Sequence, residues 1–259
     1  MIPSLVFDIE TVPDVAGLRR LHGLGNDSAD SDVAAFALQK RRAATGQDFL
    51  PLHLHRVVAI ACALREDDSF RVWSLGAPGE GEDSLITRFF DGIEKYSPQL
   101  VSWNGGGFDL PVLHYRAMAH GLSAPRYWDT GEDDREFRYN NYISRYHQRH
   151  LDLMDLLALY QPRNYVSLDG LAQLCGFPGK LGMDGSQVWD AFQAGRLVEI
   201  RNYCETDVAN THLLFLRFQL LRGVLDDVRY RRECEYVRRW IASSAEPHWL
   251  AFQRAWPEV

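Results

Sequence analysis

Acidic side chains at three separated places in the sequence have the types and spacing that divalent metal ions require. Asp8 and Glu10 alternate directly after the apolar run of residues 4–7, which predicts a buried strand that ends at Asp8. Because the side chains of a strand alternate with a period of two, both carboxylates lie on the same face, where they repel each other unless a cation separates them. By itself, this D-x-E pair fits a metal site and a solvated strand end equally well.

The second acid, Asp109, begins a predicted helix directly after a glycine-rich loop, in the sequence W-N-G-G-G-F-D. Asn104 and Phe108 in the same sequence make this pattern more specific than a single acid. An acid at this point also caps a helix well, so capping is the alternative interpretation. Ligands of open α/β sheets bind outside the carboxyl ends of the strands, and we therefore expect Asp109 near Asp8 and Glu10.

The third acidic position in the sequence lies near a tyrosine, so a phenol and a carboxylate occur together. Tyr203 and Asp207 are four residues apart in a long predicted helix, so their side chains stack on one face. An amphipathic helix with a half-buried tyrosine and an exposed aspartate is the alternative. The core-facing positions of this helix are better assigned to Ile200, Cys204 and Val208, which leaves Tyr203 and Asp207 flanking the core face.

Acids from three elements suit one kind of chemistry in particular. A hard divalent cation such as Mg²⁺ takes oxygen ligands and often shares them with substrate phosphates. Two such ions about 3.5–4 Å apart clamp the attacking and the leaving oxygen when a phosphodiester is cleaved. A tyrosine hydroxyl beside them could orient the attacking water. These acids therefore predict metal-dependent phosphodiester hydrolysis.

The elements that must position these residues follow from hydrophobic periodicity and turn residues. The predicted strands cover residues 4–7, 56–64, 70–74 and 98–103. The predicted helices cover residues 84–93, 109–120, 167–175, 186–194 and 197–221. Residues 15–55 predict a helical insertion that could cover the core or form a wall of the substrate site, and residues 126–150 are expected to be irregular. A helix that crosses between strands favours an α/β sheet.

The amino-acid composition limits the classes of protein to which this chain can belong. The chain has 259 residues, 46% of them hydrophobic, which permits a sizeable core and favours one elaborated domain. The net charge of −7 excludes a uniformly basic nucleic-acid binder but leaves room for a local basic surface. The four cysteines lack zinc-site spacing, and no apolar window of about 18 residues exists. We therefore expect a cytoplasmic protein with no membrane association.

The three motifs together resemble those of the DEDD exonucleases. F-D-I-E-T (7–11), W-N-G-G-G-F-D (103–109) and Y-C-E-T-D (203–207) match them in order and spacing, in the tyrosine-bearing branch that includes polymerase proofreading domains. The histidine-bearing branch has its histidine where this chain has Asn202. The stretches P-G-K-L-G-M-D-G-S-Q-V and Y-C-E-T-D-V-A-N-T are most similar to stand-alone predicted 3′–5′ exonucleases related to the proofreading domains of family-B DNA polymerases.

The resemblance implies an RNase H-like, three-layer α/β/α fold with a mixed central sheet and a helical C-terminal third. It implies a single exonuclease domain over residues 1–259, with the insertion at 15–55, a helical C-terminal extension at 223–259 and no polymerase domain. The implied function is 3′–5′ hydrolysis of single-stranded nucleic acid, with DNA favoured over RNA, to nucleoside 5′-monophosphates. Nothing in the sequence indicates a protein partner.

The resemblance also implies a role for each motif residue and two divalent ions, Mg²⁺ or Mn²⁺, as cofactors. Asp8 would bridge both ions, and Glu10 and Asp207 would complete the ion that holds the attacking water. Asp109 would serve the second ion, directly or through water. Tyr203 would position the water rather than act as a strong base.

Candidate contacts to the substrate strand are less sharply defined. They are Ile9, Thr11, Asn104, Phe108, Lys180, Arg138, Tyr142 and Arg145. By resemblance, main-chain groups at Ile9 to Thr11 would meet the 3′-terminal nucleotide, and Asn104 would brace the second motif. Residues 138–149 interleave arginine and tyrosine, as in single-strand grooves, or form a surface loop whose tyrosines enter the core. Lys180, in a glycine-rich loop, could reach a substrate phosphate.

Two other motifs and two other functions stay open. Asp152 is better explained as a helix cap than as a fifth metal ligand. His53 and His55 could form a metal pair, although such a pair is more often structural. The chain could instead be a non-catalytic protein that binds single strands on the same fold, or a phosphodiesterase that acts on very short oligonucleotides.

Overall fold

The computed structural model describes residues 3–256, which form a five-stranded mixed sheet flanked by helices. The strands are β1 (Ser4–Pro13), β2 (His55–Glu66), β3 (Ser69–Ser74), β4 (Gln99–Ser102) and β5 (His150–Asp152). Their order in the sheet is β3-β2-β1-β4-β5. β2 is antiparallel to both β1 and β3, whereas β4 is parallel to β1 and β5. The predicted mixed central sheet is confirmed.

Helices cover both faces of this sheet. They are α1 (Val15–His22), α2 (Asp30–Thr45), α3 (Glu82–Tyr96), α4 (Asp109–His120), α5 (Pro125–Trp128), α6 (Leu153–Leu157), α7 (Leu168–Leu174), α8 (Val188–Gln193), α9 (Leu197–Leu221), α10 (Asp227–Ala242) and α11 (Pro247–Ala255). One apolar core joins α3, α4 and α5 to one face of the sheet, and a second joins α7, α9, α10 and α11 to the other. The arrangement is three-layered, with the helical C-terminal third on the α9 side.

The alternation of β1 decides which face carries the acids. Leu5, Phe7 and Ile9 pack into the core on the α3 and α4 side. Val6 packs into the opposite core, against α9. Asp8 follows Val6 at a spacing of two and has its carboxylate next to α9. β1 therefore places the Asp8 carboxylate against α9, on a face where the preceding residue, Val6, is apolar.

β1 is longer than the sequence predicted, and the expected end at Asp8 is wrong. β2 pairs with β1 from Ser4 to Pro13, with a register shift between Glu10 and Thr11, so the backbone stays extended beyond the apolar run. β4 pairs with β1 only as far as Val6. The β4-side edge of β1 is consequently open beside the acids.

The fifth strand was not predicted. Residues 126–150 end in β5, which has three residues, a length too short to give a periodic signal. Its place in the sheet depends on parallel pairing with β4, a contact between residues about fifty positions apart. The 126–150 segment otherwise contains the end of α5 and a short 3₁₀ turn, in agreement with the expected irregular structure.

The insertion and the C-terminal extension each pack through apolar side chains. α1, α2 and the following loop enclose a small core of their own, formed by Leu18, Val33, Ala37, Leu50 and Leu54. α10 and α11 join the α9-side core through Val237, Ile241, Trp249 and Phe252. None of the helices within residues 3–256 has the length and apolar character of a membrane span.

A buried ion cluster ties the insertion to the α/β core. The Arg116 guanidinium donates to Asp14 Oδ2 at 2.6 Å and to Glu82 Oε2 at 2.6 Å, and its side chain is 9% exposed. Glu82 Oε1 also accepts the Val57 N–H at 2.7 Å. Arg116, in α4, thus connects Asp14, which precedes α1, with Glu82 in α3, and Glu82 extends the contact to Val57 in β2.

We expect Arg116→Met to destabilise the protein by about 3 kcal/mol or more, because it leaves two buried carboxylates without their cation. Urea unfolding measures this loss. Arg88→Met is the control, since Arg88 is a half-exposed partner of Glu80 and its loss should hardly move the unfolding midpoint. Equal effects of the two substitutions would show that the buried cluster contributes no more than a surface ion pair.

Candidate active site

The acids of the three sequence motifs converge where β1, α4 and α9 meet. Potential ligand atoms of Asp8, Glu10 and Cys204 lie within 4.8 Å of one another. Asp109 and Asp207 are close enough to Asp8 for their charges to raise its pKa. Glu10, Asp109 and Asp207 are all under 9% exposed, whereas Asp8 is half-buried. These four carboxylates are called the acid cluster below.

Asp109 reaches the cluster through the backbone of β1. Its Oδ1 accepts the Ile9 N–H at 3.0 Å. That N–H is available because β4 no longer pairs with β1 beyond Val6, so a side chain from the first turn of α4 takes the place of a strand. The Ile9 N–H and its 4% exposed side chain are thus engaged inside the protein, and this N–H is not free for a nucleotide.

Burial and mutual repulsion make the acid cluster costly to ionise. Burial, followed by the charges of Asp109 and Asp207, raises the pKa of Asp8 well above its ordinary value. Burial and the charge of Asp8 do the same to the pKa of Glu10. Burial raises the pKa of Asp109 to about 7 and that of Asp207 to about 6. Cations placed among these groups would reverse the shifts, since an opposite charge favours the ionised carboxylate.

A buried carboxylate oxygen without a hydrogen-bond partner bears on whether these residues fit a metal ion. Asp207 Oδ1 is buried and has no hydrogen-bond partner among the described residues. Leaving a buried polar atom unpaired costs about 1–3 kcal/mol, and native structures rarely keep one without a reason. The carboxylate oxygens of the four acids are donors that Mg²⁺ or Mn²⁺ prefers, and the nearby Cys204 sulfur does not compete because a protonated thiol is not a metal ligand. The residues present fit the implied ions.

Cys204 supports Asp8 from the α9 side. Its thiol lies 3.4 Å from Asp8 Oδ2 and 3.4 Å from the Asp8 carbonyl oxygen. Burial raises the pKa of this thiol well above its ordinary value, so it remains protonated and donates to Asp8. Sequence reasoning assigned Cys204 to the core, which its complete burial confirms, but missed this contact. Its position three residues before Asp207 on the same helix was the available signal.

Tyr203 and Lys180 form a second polar contact at the edge of the cluster. Both Tyr203 and Asp207 are 5% exposed, so the alternative of an exposed aspartate is excluded. Lys180 Nζ donates to the Tyr203 hydroxyl and lies 3.7 Å from Asp207 Oδ2. Burial and the charge of Asp207 raise the pKa of Tyr203, so the phenol keeps its proton. Lys180 therefore brings a positive charge into contact with the third motif.

The loop that carries Lys180 is fixed by side chains that sequence reasoning missed. Asn210 is fully buried, accepts the Gly179 N–H at 3.1 Å and donates to the Gly179 carbonyl at 2.8 Å. Asp169 Oδ1 accepts the Lys180 N–H at 2.7 Å. Gly179 has φ +70°, and a Cβ there would lie 2.4 Å from Asp169 Oδ1, so glycine is required. Asn210 follows Asp207 by three residues, and that spacing was the signal in the sequence.

Asp152 holds the loop of the second motif. Its carboxylate accepts the N–H groups of Asn104 at 3.0 Å and Gly106 at 2.9 Å, besides those of Met154 and Asp155 at the start of α6. All four contacts use its oxygens as acceptors from the backbone, which agrees with the predicted cap. Asn104 adopts φ +66°, a conformation that asparagine tolerates. Asp152 thus positions the loop that leads to Asp109.

Thr11 and Phe108 are the chain neighbours of Glu10 and Asp109, and His55 contacts both of them. Thr11 Oγ1 lies 2.9 Å from His55 Nδ1, and His55 Nε2 lies 3.2 Å from the Leu50 carbonyl. Because a carbonyl only accepts, Nε2 carries the proton and the hydroxyl donates to Nδ1. Both ring nitrogens of His55 are therefore engaged, which argues against a metal pair with His53. Burial lowers the pKa of His55 and keeps the ring neutral.

The arginine- and tyrosine-rich segment corrects one prediction. Tyr142 is 2% exposed, donates its hydroxyl to the Pro98 carbonyl at 2.7 Å and stacks on Tyr127, so it cannot stack on a base. The alternative, a tyrosine that enters the core from a surface loop, is the correct one. Arg138 and Arg145 are exposed. Arg145 pairs with Asp155 at 2.8 Å and lines a cleft of about 450 Å³ that extends to Gly106 and Gly107.

Residues 47–256 match the family described as predicted 3′-5′ exonucleases related to the exonuclease domain of PolB, and the chain belongs to this family. The matched residues contain Asp109, Tyr203 and Asp207, whereas Asp8 and Glu10 precede them. The resemblance to predicted 3′–5′ exonucleases related to family-B polymerase exonuclease domains is confirmed. The comparison with curated proteins found no match.

Among solved structures, the fold is similar to that of the family B DNA polymerase from the hyperthermophilic archaeon Pyrobaculum calidifontis, with a TM-score of 0.51 and 20% sequence identity. The similarity covers 85% of this chain and 25% of the polymerase chain, so this chain spans about a quarter of the polymerase's length. At this identity the likeness concerns the fold alone, and together with the three-layer arrangement it confirms the predicted RNase H-like class.

We expect the metal-depleted protein to be more stable at pH 5 than at pH 8. An Asp whose pKa is about 7 in the fold, against about 3.9 unfolded, contributes stability below pH 4 that is lost as the pH rises through 7. Asp109→Asn should therefore flatten the fall in unfolding free energy between pH 5 and pH 8, as measured by urea unfolding.

Two comparisons check this interpretation. Asp91→Asn changes an exposed carboxylate and should leave the pH dependence unchanged. Adding Mg²⁺ to the unsubstituted protein should reduce the difference between the two pH values, since a bound cation favours ionised carboxylates. A pH dependence identical in Asp109→Asn and the unsubstituted protein would contradict the raised pKa of Asp109.

Proposed function

We propose that this chain is a two-metal-ion 3′–5′ exonuclease that hydrolyses single-stranded DNA to nucleoside 5′-monophosphates. The observation that supports this most strongly is the convergence of four carboxylates from β1, α4 and α9 beside a buried, protonated tyrosine. Membership of the predicted exonuclease family supports the reaction and its direction. The orphaned Asp207 Oδ1 supports a site that requires cations.

Asp8, Glu10, Asp109 and Asp207 would hold two divalent ions, Mg²⁺ or Mn²⁺. Such ions, when bound, generate a nucleophile from water at neutral pH and stabilise charge on the attacking and leaving oxygens. The protein contributes the rigidity of the donor set. Asp8 is held by the Cys204 thiol and Asp109 by the Ile9 N–H, so both carboxylates are oriented before any ion binds.

Tyr203 and Lys180 would act on the attacking water and the phosphate. A phenol that keeps its proton cannot serve as a base, but its hydroxyl can hold a water in line with the phosphorus. The Lys180 ammonium fixes that hydroxyl and adds a positive charge next to Asp207. When the strand binds, this charge would stabilise the phosphate as negative charge builds up on its oxygens.

The remaining candidates would bind the strand on two sides of the acid cluster. Thr11, Asn104 and Phe108 belong to the loops and strand that border the acids. Arg145 lines the cleft that begins at the second-motif loop, and Arg138 is exposed in the same segment. Arginine in these places can bind phosphates in bidentate fashion or stack on bases.

Purified protein with Mg²⁺ or Mn²⁺ should shorten a 5′-labelled single strand from its 3′ end, and Asp8→Asn should reduce the rate by at least roughly 100-fold. Asp91→Asn, an exposed carboxylate, is the matched control and should retain the rate. Gel analysis of DNA and RNA strands and of dinucleotides separates the proposed substrate from very short oligonucleotides. Shortening by Asp8→Asn at the unsubstituted rate would refute the proposal.

Removing metal should also weaken binding, because the cations that attract the phosphates are then absent and any carboxylate of the acid cluster that stays ionised repels them. With a strand whose last linkage is methylene-bridged and cannot be cleaved, we expect chelation to lower affinity by at least about tenfold. Fluorescence anisotropy with and without chelator measures this change. The same experiment distinguishes a non-catalytic binding protein, which would hold single strands tightly without metal and cleave none of them.

A further inference from the structure

An exposed aromatic ring contacts Phe108, the residue that precedes Asp109. Phe49 lies in the loop between α2 and β2, and 54% of it is exposed. Its ring centroid is 4.9 Å from that of His55 and 5.7 Å from that of Phe108. The His55 and Phe108 rings lie 5.3 Å apart, edge to face. These three rings are called the aromatic platform below.

The aromatic platform is joined directly to two of the three acidic motifs. Phe108 immediately precedes Asp109, and the Thr11 hydroxyl that contacts His55 immediately follows Glu10. Phe108 packs against the same core as Ile9, and Thr11 follows Ile9 at a spacing of two, so the platform lies on the α4 side of β1, the side from which Asp109 reaches the acid cluster. A strand whose last phosphodiester lies at the acids would bring its terminal base close to this side.

The backbone of Phe49 is fixed although its ring is exposed. The Phe49 carbonyl accepts from Arg41 Nε at 3.2 Å, and the next residue, Leu50, is 4% exposed within the small core of the insertion. The Leu50 carbonyl in turn accepts from His55. A ring held by its neighbours loses little conformational freedom when a ligand stacks on it, which favours binding.

We propose that Phe49 is the stacking platform for the base of the 3′-terminal nucleotide, an inference that rests on the proposed exonuclease function. Every nucleobase has a π-face, so stacking on a phenyl ring gives affinity without sequence preference. Phe108 and His55 contact the ring and support it, and the exposed part of Phe49 receives the base. The insertion at 15–55 thereby supplies a wall of the substrate site.

Two other exposed aromatic rings serve as comparison positions. Phe36 is 43% exposed on α2, where it contacts His22 rather than the border of the acid cluster. Trp128 is 52% exposed and lines the cleft that reaches Gly106 and Gly107, on the other side of the second-motif loop. If the terminal base binds in that cleft, the effect of Trp128→Ala, rather than that of Phe49→Ala, will depend on the presence of the base.

The experiment combines each substitution with removal of the base. Phe49→Ala, Phe36→Ala and Trp128→Ala are assayed on a single strand with a normal 3′-terminal nucleotide and on the same strand with an abasic 3′ terminus. On the normal strand, Phe49→Ala should lower kcat/KM about tenfold, the effect of losing one stacked base. On the abasic strand, Phe49→Ala and the unsubstituted protein should differ by less than about twofold, because no base is left to stack. Phe36→Ala should match the unsubstituted protein on both strands.

A spectroscopic readout reports stacking without turnover. A 3′-terminal 2-aminopurine on the methylene-bridged, non-cleavable strand should lose fluorescence when the unsubstituted protein binds with Mg²⁺, and Phe49→Ala should abolish most of that quenching. Phe49→Leu, which keeps an apolar side chain but no ring, should resemble Phe49→Ala.

The possible results distinguish a failure of the role of Phe49 from a failure of the proposed exonuclease function. A rate loss in Phe49→Ala that persists on the abasic strand, or base dependence found in Trp128→Ala instead, overturns the role of Phe49. The same holds if Phe49→Ala leaves both the rate and the quenching unchanged. No shortening of any strand by the unsubstituted protein would refute the exonuclease function itself, and quenching at the 3′ terminus would then still report whether Phe49 stacks.

Discussion

The repulsion among four carboxylates buried in one place is the constraint on which the rest of the structure depends. Burial raises the pKa of Asp8, Glu10, Asp109 and Asp207, so the cluster favours protons or cations over free ionised acids. Holding these carboxylates close together against their repulsion requires rigid strands and helices around them. β1 is hydrogen-bonded to β2 along its whole length and to β4 as far as Val6, and α9 is 25 residues long and packs across the sheet.

The groups that hold the acids are mostly neutral donors. The Cys204 thiol, the Ile9 N–H and the backbone amides gathered by Asp152 orient carboxylates or loops without neutralising them. Lys180 contributes a cation, but at the edge, next to Tyr203 and Asp207. The centre of the cluster thus holds no cationic side chain from residues 3–256, and its geometry is set by hydrogen bonds from neutral donors.

Two aromatic side chains show where sequence reasoning succeeds and fails. Residues 138–149 suggested a base-stacking role for Tyr142, yet that ring is buried and hydrogen-bonded to Pro98. Phe49 was not predicted to be functional from the sequence, yet it is exposed and contacts Phe108, next to Asp109 in the chain. In irregular segments no period of two or of 3.6 predicts which way a side chain points, so composition alone could not tell a core tyrosine from a surface one.

The sequence by itself determined the α/β class, the long helix of Tyr203 and Asp207, and the set of acids, because periodicity and motif spacing are local properties that a chain carries before it folds. It also favoured Asp152 as a cap, since capping depends on residues one to three positions away. Only the tertiary structure decided that β1 runs past Asp8, that β5 completes the sheet, that Cys204 and Asn210 serve the site, and that Phe49 borders it. Each of these depends on contacts between residues far apart in the chain, which a local pattern does not encode.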